Sequence, residues 1–234
     1  MVEEHPATRS ASRPAAGAPL LRAESISRRF GGVQAVREVS FDVDAGEVVG
    51  LIGPNGSGKS TCVNLLSGTI PLTSGRVLIS GATLDGARID QAVARGVVRT
   101  FQATQVFPEF TALENVMVGC HTLYRTRPGA AALRTAGSRR EEESLRAHAL
   151  DCLAFVGIPH RADTVAGTMS AAEQRLLMIA VALAARPKVL LLDEPAAGMV
   201  AAERRALADV IRAMPARGTA VLVIEHHMGL IMQV

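Results

Sequence analysis

From Leu20 onward, short apolar runs alternate with turn residues. LLRAESISRRF, VREVSFDV and EVVGLIG are β-type runs divided by Gly31-Gly32 and Asp44-Ala45-Gly46, residue types that punctuate extended chain. VVGLIG passes directly into a glycine-rich turn and then into KSTCVNLLSG, which predicts a strand, loop and helix unit ending at Gly68. RVLISG predicts a strand, DQAVARG a short helix ending at Gly96, and VVRTFQ another strand. Helices are expected at residues 111 to 120 and roughly 139 to 157. The stretch YRTRPGAAALRTAGS reads as surface loop from its Gly, Pro and Arg. The acidic run at 141–143 is expected to open the second helix, where the helix dipole favours it.

The second half repeats the alternation. In MSAAEQRLLMIA, Ser170 followed by Glu173 is a capping box, and the helix it opens should run to about Ala185. KVLLLDEP has the unbroken apolar pattern of a buried strand. A helix near 201–214, the strand TAVLVIE and the start of one more helix follow. Strands alternating with helices predict an α/β core with a mostly parallel sheet.

Composition narrows the class. The 234 residues are 48% hydrophobic and 20% charged, the balance of a folded chain. With no Trp and one Tyr, aliphatic side chains and Ala must build the core. The net charge of +3 comes from scattered Arg without a basic run, which argues against nucleic acid as a partner. Cys62, Cys120 and Cys152 lie far apart with no CxxC, so reduced thiols are expected and neither a metal site nor a disulfide framework is indicated. The longest apolar stretch, LLMIAVALAARPKVLLL, is broken by Arg186, Pro187 and Lys188, which argues against a membrane span. Residues 1–19, with early acid, several prolines and no apolar block, read as a disordered tail and not as a signal peptide.

The chemistry concentrates in two places. GPNGSGKS at 53–60 satisfies the phosphate-loop pattern G-x-x-x-x-G-K-[ST]. Gly53, Gly56 and Gly58 let the backbone curl so that successive N–H groups of the loop point inward and cradle phosphate oxygens, with Pro54, Asn55 and Ser57 between the glycines. Lys59 would neutralise β- and γ-phosphate charge, and Ser60 would ligate Mg2+. KVLLLDEP sets Asp193 and Glu194 at the end of a buried strand, where an Asp can hold Mg2+ through water and a neighbouring carboxylate can polarise an attacking water. Gln102, after the strand VVRTFQ, could reach both the metal and that water. His226, after VLVIE, could donate to the γ-phosphate.

Together these segments resemble an ABC-type ATPase over roughly residues 20–234. RFGGVQAVREVSF, LIGPNGSGKST, GVVRTFQ, LDEPAAG and IEHHM are most similar to the ATP-binding subunits of branched-chain amino acid importers. The resemblance implies a P-loop core with an antiparallel β subdomain and an α-helical subdomain at about 103–185. It also implies that Phe30 stacks on adenine and that Thr61 closes the phosphate loop. Gln102 becomes the residue linking core to helical lobe, Asp193 the metal-binding Asp, Glu194 the catalytic carboxylate and His226 the switch histidine. ATP and Mg2+ are then the cofactors. The expected partners are a second ABC ATPase subunit, two transmembrane permease subunits facing Ala103 to Phe107 and the helical lobe, and indirectly a periplasmic or extracellular binding protein. The expected place is the cytoplasmic face of the membrane.

The departures follow a pattern. The signature segment, which in this family reaches across a dimer to the other subunit's γ-phosphate, aligns with Met169, Ser170, Ala171, Ala172 and Glu173. Ser170 remains, but Ala172 stands where the close-approach glycine belongs, and Glu173 brings a carboxylate in place of a neutral amide. Val200 occupies a position usually Asn or Asp, and His227 replaces an Asp. The chain stops at Val234, before the family's last strands and helices, so the C-terminus reads as truncated. Groups acting on the subunit's own ATP are intact, whereas those reaching the partner's ATP are altered. A heterodimer is therefore expected. Competing readings are a degenerate nucleotide-binding module with weak or partner-dependent turnover, and a soluble ABC protein of ribosomes or DNA, which would carry two cassettes or basic arms. A P-loop kinase fits poorly, since no acceptor-site lid is evident.

Overall fold

The computed structural model describes residues 18–84, 86–100, 106–124, 135–225 and 228–234. Nearly all of the expected N-terminal tail, most of the expected surface loop, and Gln102, His226 and His227 lie outside the described residues.

The described strands form two sheets. One is antiparallel, with β1 (Leu21–Phe30), β2 (Val33–Val43), β4 (Ser74–Ile79) and β5 (Ala82–Thr83) in the order β2-β1-β4-β5. The other is parallel, with β3 (Val48–Ile52), β6 (Val97–Thr100), β7 (Val189–Asp193) and β8 (Ala220–Glu225) in the order β3-β8-β7-β6. A mostly parallel sheet is thus only half of the β structure. In β1 the buried positions run Leu21, Ala23 and then Ile26, a change of parity that hides the alternation from sequence reading. Ser25 has φ 46° at that point and the register slips between Ala23 and Ile26, as an irregular extra residue requires.

Every residue of β7 and β8 is buried, as strands covered on both faces must be. Leu190, Leu192, Val221 and Val223 face a core shared with α3 (Ala112–Gly119), α4 (Ala136–Phe155), α5 (Ala171–Ala184) and α6 (Ala201–Ala213). Val189, Leu191, Leu222 and Ile224 face a second core, shared with α1 (Lys59–Leu66), α2 (Ile89–Ala94) and the antiparallel sheet. The short α7 (Met228–Ile231) ends the chain, with Leu230 in the first core.

Helix starts follow local chemistry. Thr111, Thr135 and Ser170 each accept a backbone N–H three residues on, from Glu114, Ser138 and Glu173. Thr135 overrides the expected start of α4: the helix begins at Ala136, so residues 136–138 are helix and not loop, and the acidic run 141–143 lies beyond the first turn. Glu142 and Glu143 instead sit among Arg139 and Arg146 at helical spacings.

Gly119 sets the distance between α3 and α5. A Cβ there would lie 2.3 Å from the Val181 carbonyl oxygen and 3.2 Å from the Ala184 Cβ. Gly119→Ala is therefore expected to force the helices apart and lower stability by about 1–3 kcal/mol, read as a reduced midpoint in urea unfolding.

Candidate functional site

The phosphate loop leaves the end of β3 and enters α1 through Gly58, whose φ of 89° is left-handed. A Cβ at Gly58 would meet the Ala35 carbonyl oxygen at 2.2 Å, so glycine is required both by conformation and by the approach of β2. No side chain caps the N-terminus of α1, in contrast to α3, α4 and α5. Its first N–H groups are left for an anion. Lys59, 9% exposed, donates from Nζ to the carbonyls of Gly53 at 2.6 Å and Pro54 at 2.8 Å, folded back over the loop it would otherwise reach through. Ser57 N–H closes the turn onto the Pro54 carbonyl at 3.2 Å.

This loop floors an open cavity of about 600 Å3. Asn55, Lys59, Ser60 and Thr61 line one side, residues 33–35 of β2 another, and Glu194 a third. Glu194 reaches it from an unusual backbone, with φ of 48°. That conformation disfavours a side chain, and it is fixed by three hydrogen bonds: Glu194 N–H donates to the Ile224 carbonyl, while Ala197 N–H and Arg175 Nη1 donate to the Glu194 carbonyl. The carboxylate is thereby delivered to the same space as Lys59 and Ser60. Chemically, the cavity offers backbone donors and a cation for polyphosphate, hydroxyl oxygen for a hard divalent cation, and one carboxylate to polarise water.

Asp193, adjacent at the end of β7, is buried. Its Oδ2 accepts from Arg99 Nη2 at 2.7 Å, and Arg99 Nη1 donates to Asn64 Oδ1 on α1. Phe30, by contrast, does not line the cavity. It ends β1 and is 46% exposed, opposite Val33 across the Gly31-Gly32 turn, and the Arg28 guanidinium lies 4.7 Å from its ring centroid.

The sequence profile of the ABC transporter family matches residues 36–197. The chain belongs to the ABC transporter family. The cassette is similar to the high-affinity branched-chain amino acid transport ATP-binding protein BraF of Pseudomonas aeruginosa, 37% identical over 217 residues that span 92% of this chain and 85% of that protein. It is likewise 37% identical to the high-affinity branched-chain amino acid transport ATP-binding protein LivG of Escherichia coli K12, over 92% of this chain and 84% of that one. Among solved structures, the ADP conformation of MJ1267, an ATP-binding cassette of an ABC transporter, matches with a TM-score of 0.79 at 32% identity, covering 93% of this chain and 85% of that chain. The cassette is accordingly an ATP-hydrolysing transport subunit with the P-loop fold of that family.

In the segment that the resemblance aligns with the family signature, the capping box forms as the spacing predicts: Ser170 Oγ accepts Glu173 N–H at 3.3 Å, and Glu173 Oε2 accepts Ser170 N–H at 2.9 Å. A hydroxyl that accepts in this way keeps its own proton for a ligand. Two expected obstacles are smaller than the sequence suggested. Glu173 is not a bare charge, because Arg161 Nε donates to its Oε1 at 2.7 Å. Ala172 is half-buried, with its methyl packed against the helical core. Val200 remains a clear departure: it is 62% exposed at the start of α6 and offers no side-chain cap, although Glu203 Oε2 accepts its N–H.

Reading residues one at a time missed several that hold this site. Arg99 and Arg175 stand in quoted motifs, but their partners are 94 and 19 residues away. Glu225, fully buried, accepts Ala196 N–H at 3.0 Å and so ties the end of β8 to the loop after Glu194. Asn115 accepts Phe107 N–H and donates to the carbonyls of Phe107 and Thr111, which shapes the entry to α3. Hydrophilic side chains inside apolar-patterned segments were the available signal for Arg99 and Asn115. Cys62, beneath the loop, is buried and its thiol is pushed up to about 12 by that burial, so it is an inert neighbour.

The Ser170 N–H and, less strongly, Arg161 hold the Glu173 carboxyl below its ordinary value. A lowered folded-state value stabilises the fold above the ordinary Glu range near pH 4.3, and the contribution is lost as pH falls through the folded value. Glu173→Gln should therefore be less stable than wild type at pH 7, with the gap closing in acid, whereas Ser170→Ala should cost about 1 kcal/mol through the lost cap. Thermal unfolding at several pH values measures both.

Proposed function

We propose that this cassette drives import of branched-chain amino acids or closely related solutes, from the cytoplasmic face of the membrane. In this reading it works with two transmembrane permease subunits, a second ATPase subunit in a heterodimer, and indirectly a periplasmic or extracellular binding protein. The observation that carries it is the cavity in which the phosphate loop and Glu194 meet, within a chain 37% identical to two proteins whose names state that transport.

Each residue then has a task. Gly53, Pro54, Asn55, Gly56, Ser57 and Gly58 present backbone to the phosphates. Lys59 leaves the Gly53 and Pro54 carbonyls for the β- and γ-phosphates, and Thr61 completes the loop. Phe30, exposed and paired with Val33 across the Gly31-Gly32 turn, supplies a ring for adenine. Mg2+ fits the donor set: the Ser60 hydroxyl and the Asp193 carboxylate are hard oxygen ligands. Bound there, Mg2+ would neutralise phosphate charge. Gln102 adds a ligand and a contact to water, Glu194 orients that water, and His226 senses the γ-phosphate. Ser170 keeps a hydroxyl proton for the partner's nucleotide.

The helical lobe, taken as about residues 103–185, offers the permease a face. Phe107 and Phe110 stack with centroids 5.3 Å apart and are 52% and 42% exposed. Beside them lies a groove of about 790 Å3 between α3 and α4, with Phe110, Met117 and Tyr124 among its lining and Glu114, Glu142 and Arg146 at its rim. Exposed apolar surface rimmed by charge suits a protein contact.

Lys59→Ala should weaken ATP binding by the purified chain at least roughly tenfold, since it removes a charge-assisted phosphate contact. It should also reduce leucine, isoleucine and valine uptake by vesicles holding the assembled transporter to background. Wild-type vesicles that hydrolyse ATP but accumulate none of the three would disprove the solute assignment while leaving the ATPase assignment intact.

A further inference from the structure

Arg99 has no task in the nucleotide chemistry above, yet its guanidinium lies against the carboxylate assigned to the metal. It stands on β6 three residues before Gln102, donates to Asp193 Oδ2 at 2.7 Å, and donates to Asn64 on α1, the helix that opens with Lys59 and Ser60. The Arg99 side chain is 11% exposed and that of Asp193 is 3% exposed, so water and salt screen the pair little. Because β6, β7 and α1 all contribute, the position of the positive charge is set by the packing of the core.

A buried carboxylate needs a counter-charge. Asp193 has one before any metal arrives. A divalent cation approaching Asp193 alone would meet a fixed like charge in a medium that strengthens the repulsion. A triphosphate in the adjoining cavity brings several negative charges and reverses that balance.

We propose that Arg99 makes metal binding at Asp193 conditional on nucleotide, by holding the buried carboxylate as an ion pair with Asn64 as its second anchor. Free divalent cations are then kept out of the empty site, and metal enters with ATP. The role is one of positioning and charge balance, and it rests on the assignment of Asp193 to the metal.

The test uses the full nucleotide-free chain with Mn2+ as the probe, its binding followed by loss of the free-ion paramagnetic resonance signal. Wild type should bind Mn2+ weakly and Arg99→Gln roughly tenfold or more tightly, because a repelling charge is gone. Adding Asp193→Asn to Arg99→Gln should return the affinity to the wild-type level. Arg99→Lys, which keeps the charge, should stay within about threefold of wild type. Equal Mn2+ affinities for wild type and Arg99→Gln would overturn the proposal. So would a tenfold gain in Arg99→Lys, a result that stays decisive if Arg99→Gln does not fold. Mn2+-dependent ATP binding by Asp193→Asn separates the two assignments. No loss there overturns the metal role of Asp193 and this proposal with it, whereas a loss combined with equal Mn2+ affinities overturns the role of Arg99 alone.

Discussion

Burial of the parallel sheet on both faces is the constraint on which the rest of the molecule depends. β7 and β8 have no exposed residue, and their alternate side chains supply two separate cores. Charge can leave such strands only at their ends. Asp193, Glu194 and Glu225 therefore gather where β7 and β8 finish, next to the loop that leaves the parallel neighbour β3. The meeting of acid and phosphate loop in one cavity follows from sheet order, since residues 53–61 and 193–194 are far apart in the chain.

That end of the sheet is held by a few buried polar contacts. Arg99 balances Asp193 and reaches α1; Arg175, on the helix that Ser170 caps, holds the Glu194 carbonyl; Glu225 holds the next loop through Ala196. The Arg175 contact joins two functions in one chain. The helix whose start is proposed to face a partner's nucleotide also braces the backbone of Glu194, so a shift of α5 reaches Glu194 through one guanidinium. This gives the separation of own-site and partner-site groups a physical meeting point.

What was legible in the sequence was what short-range physics decides. The capping box of Ser170 and Glu173, the unbroken apolar run of β7 and the glycine pattern of the phosphate loop each act within a few residues, and each stands in the structure as written. What was not legible depends on distant partners. The bulge at Ser25 shifted the parity of β1, so its alternation could not be read. The consequence of Glu173 changed once Arg161 was seen beside it, and that of Ala172 once its methyl was seen against the helical core. Thr135, a cap inside what looked like loop, moved the start of α4. Gln102 and His226 lie outside the described residues, so their roles rest on resemblance and sequence position.

The central proposal is an asymmetry, in which the described groups assigned to the cassette's own ATP are kept, while the exposed Val200 departs from the Asn or Asp that the resemblance expects on the side facing a partner. The most direct measurement is steady-state ATP turnover by the cassette assembled with the proposed second ATPase subunit, with the carboxylate assigned to the attacking water changed to Gln in one subunit at a time. Glu194→Gln should remove most of the turnover, on the order of a hundredfold for loss of a group that orients the attacking water, while the equivalent change in the second subunit should matter little. Equal losses from the two changes would contradict the account.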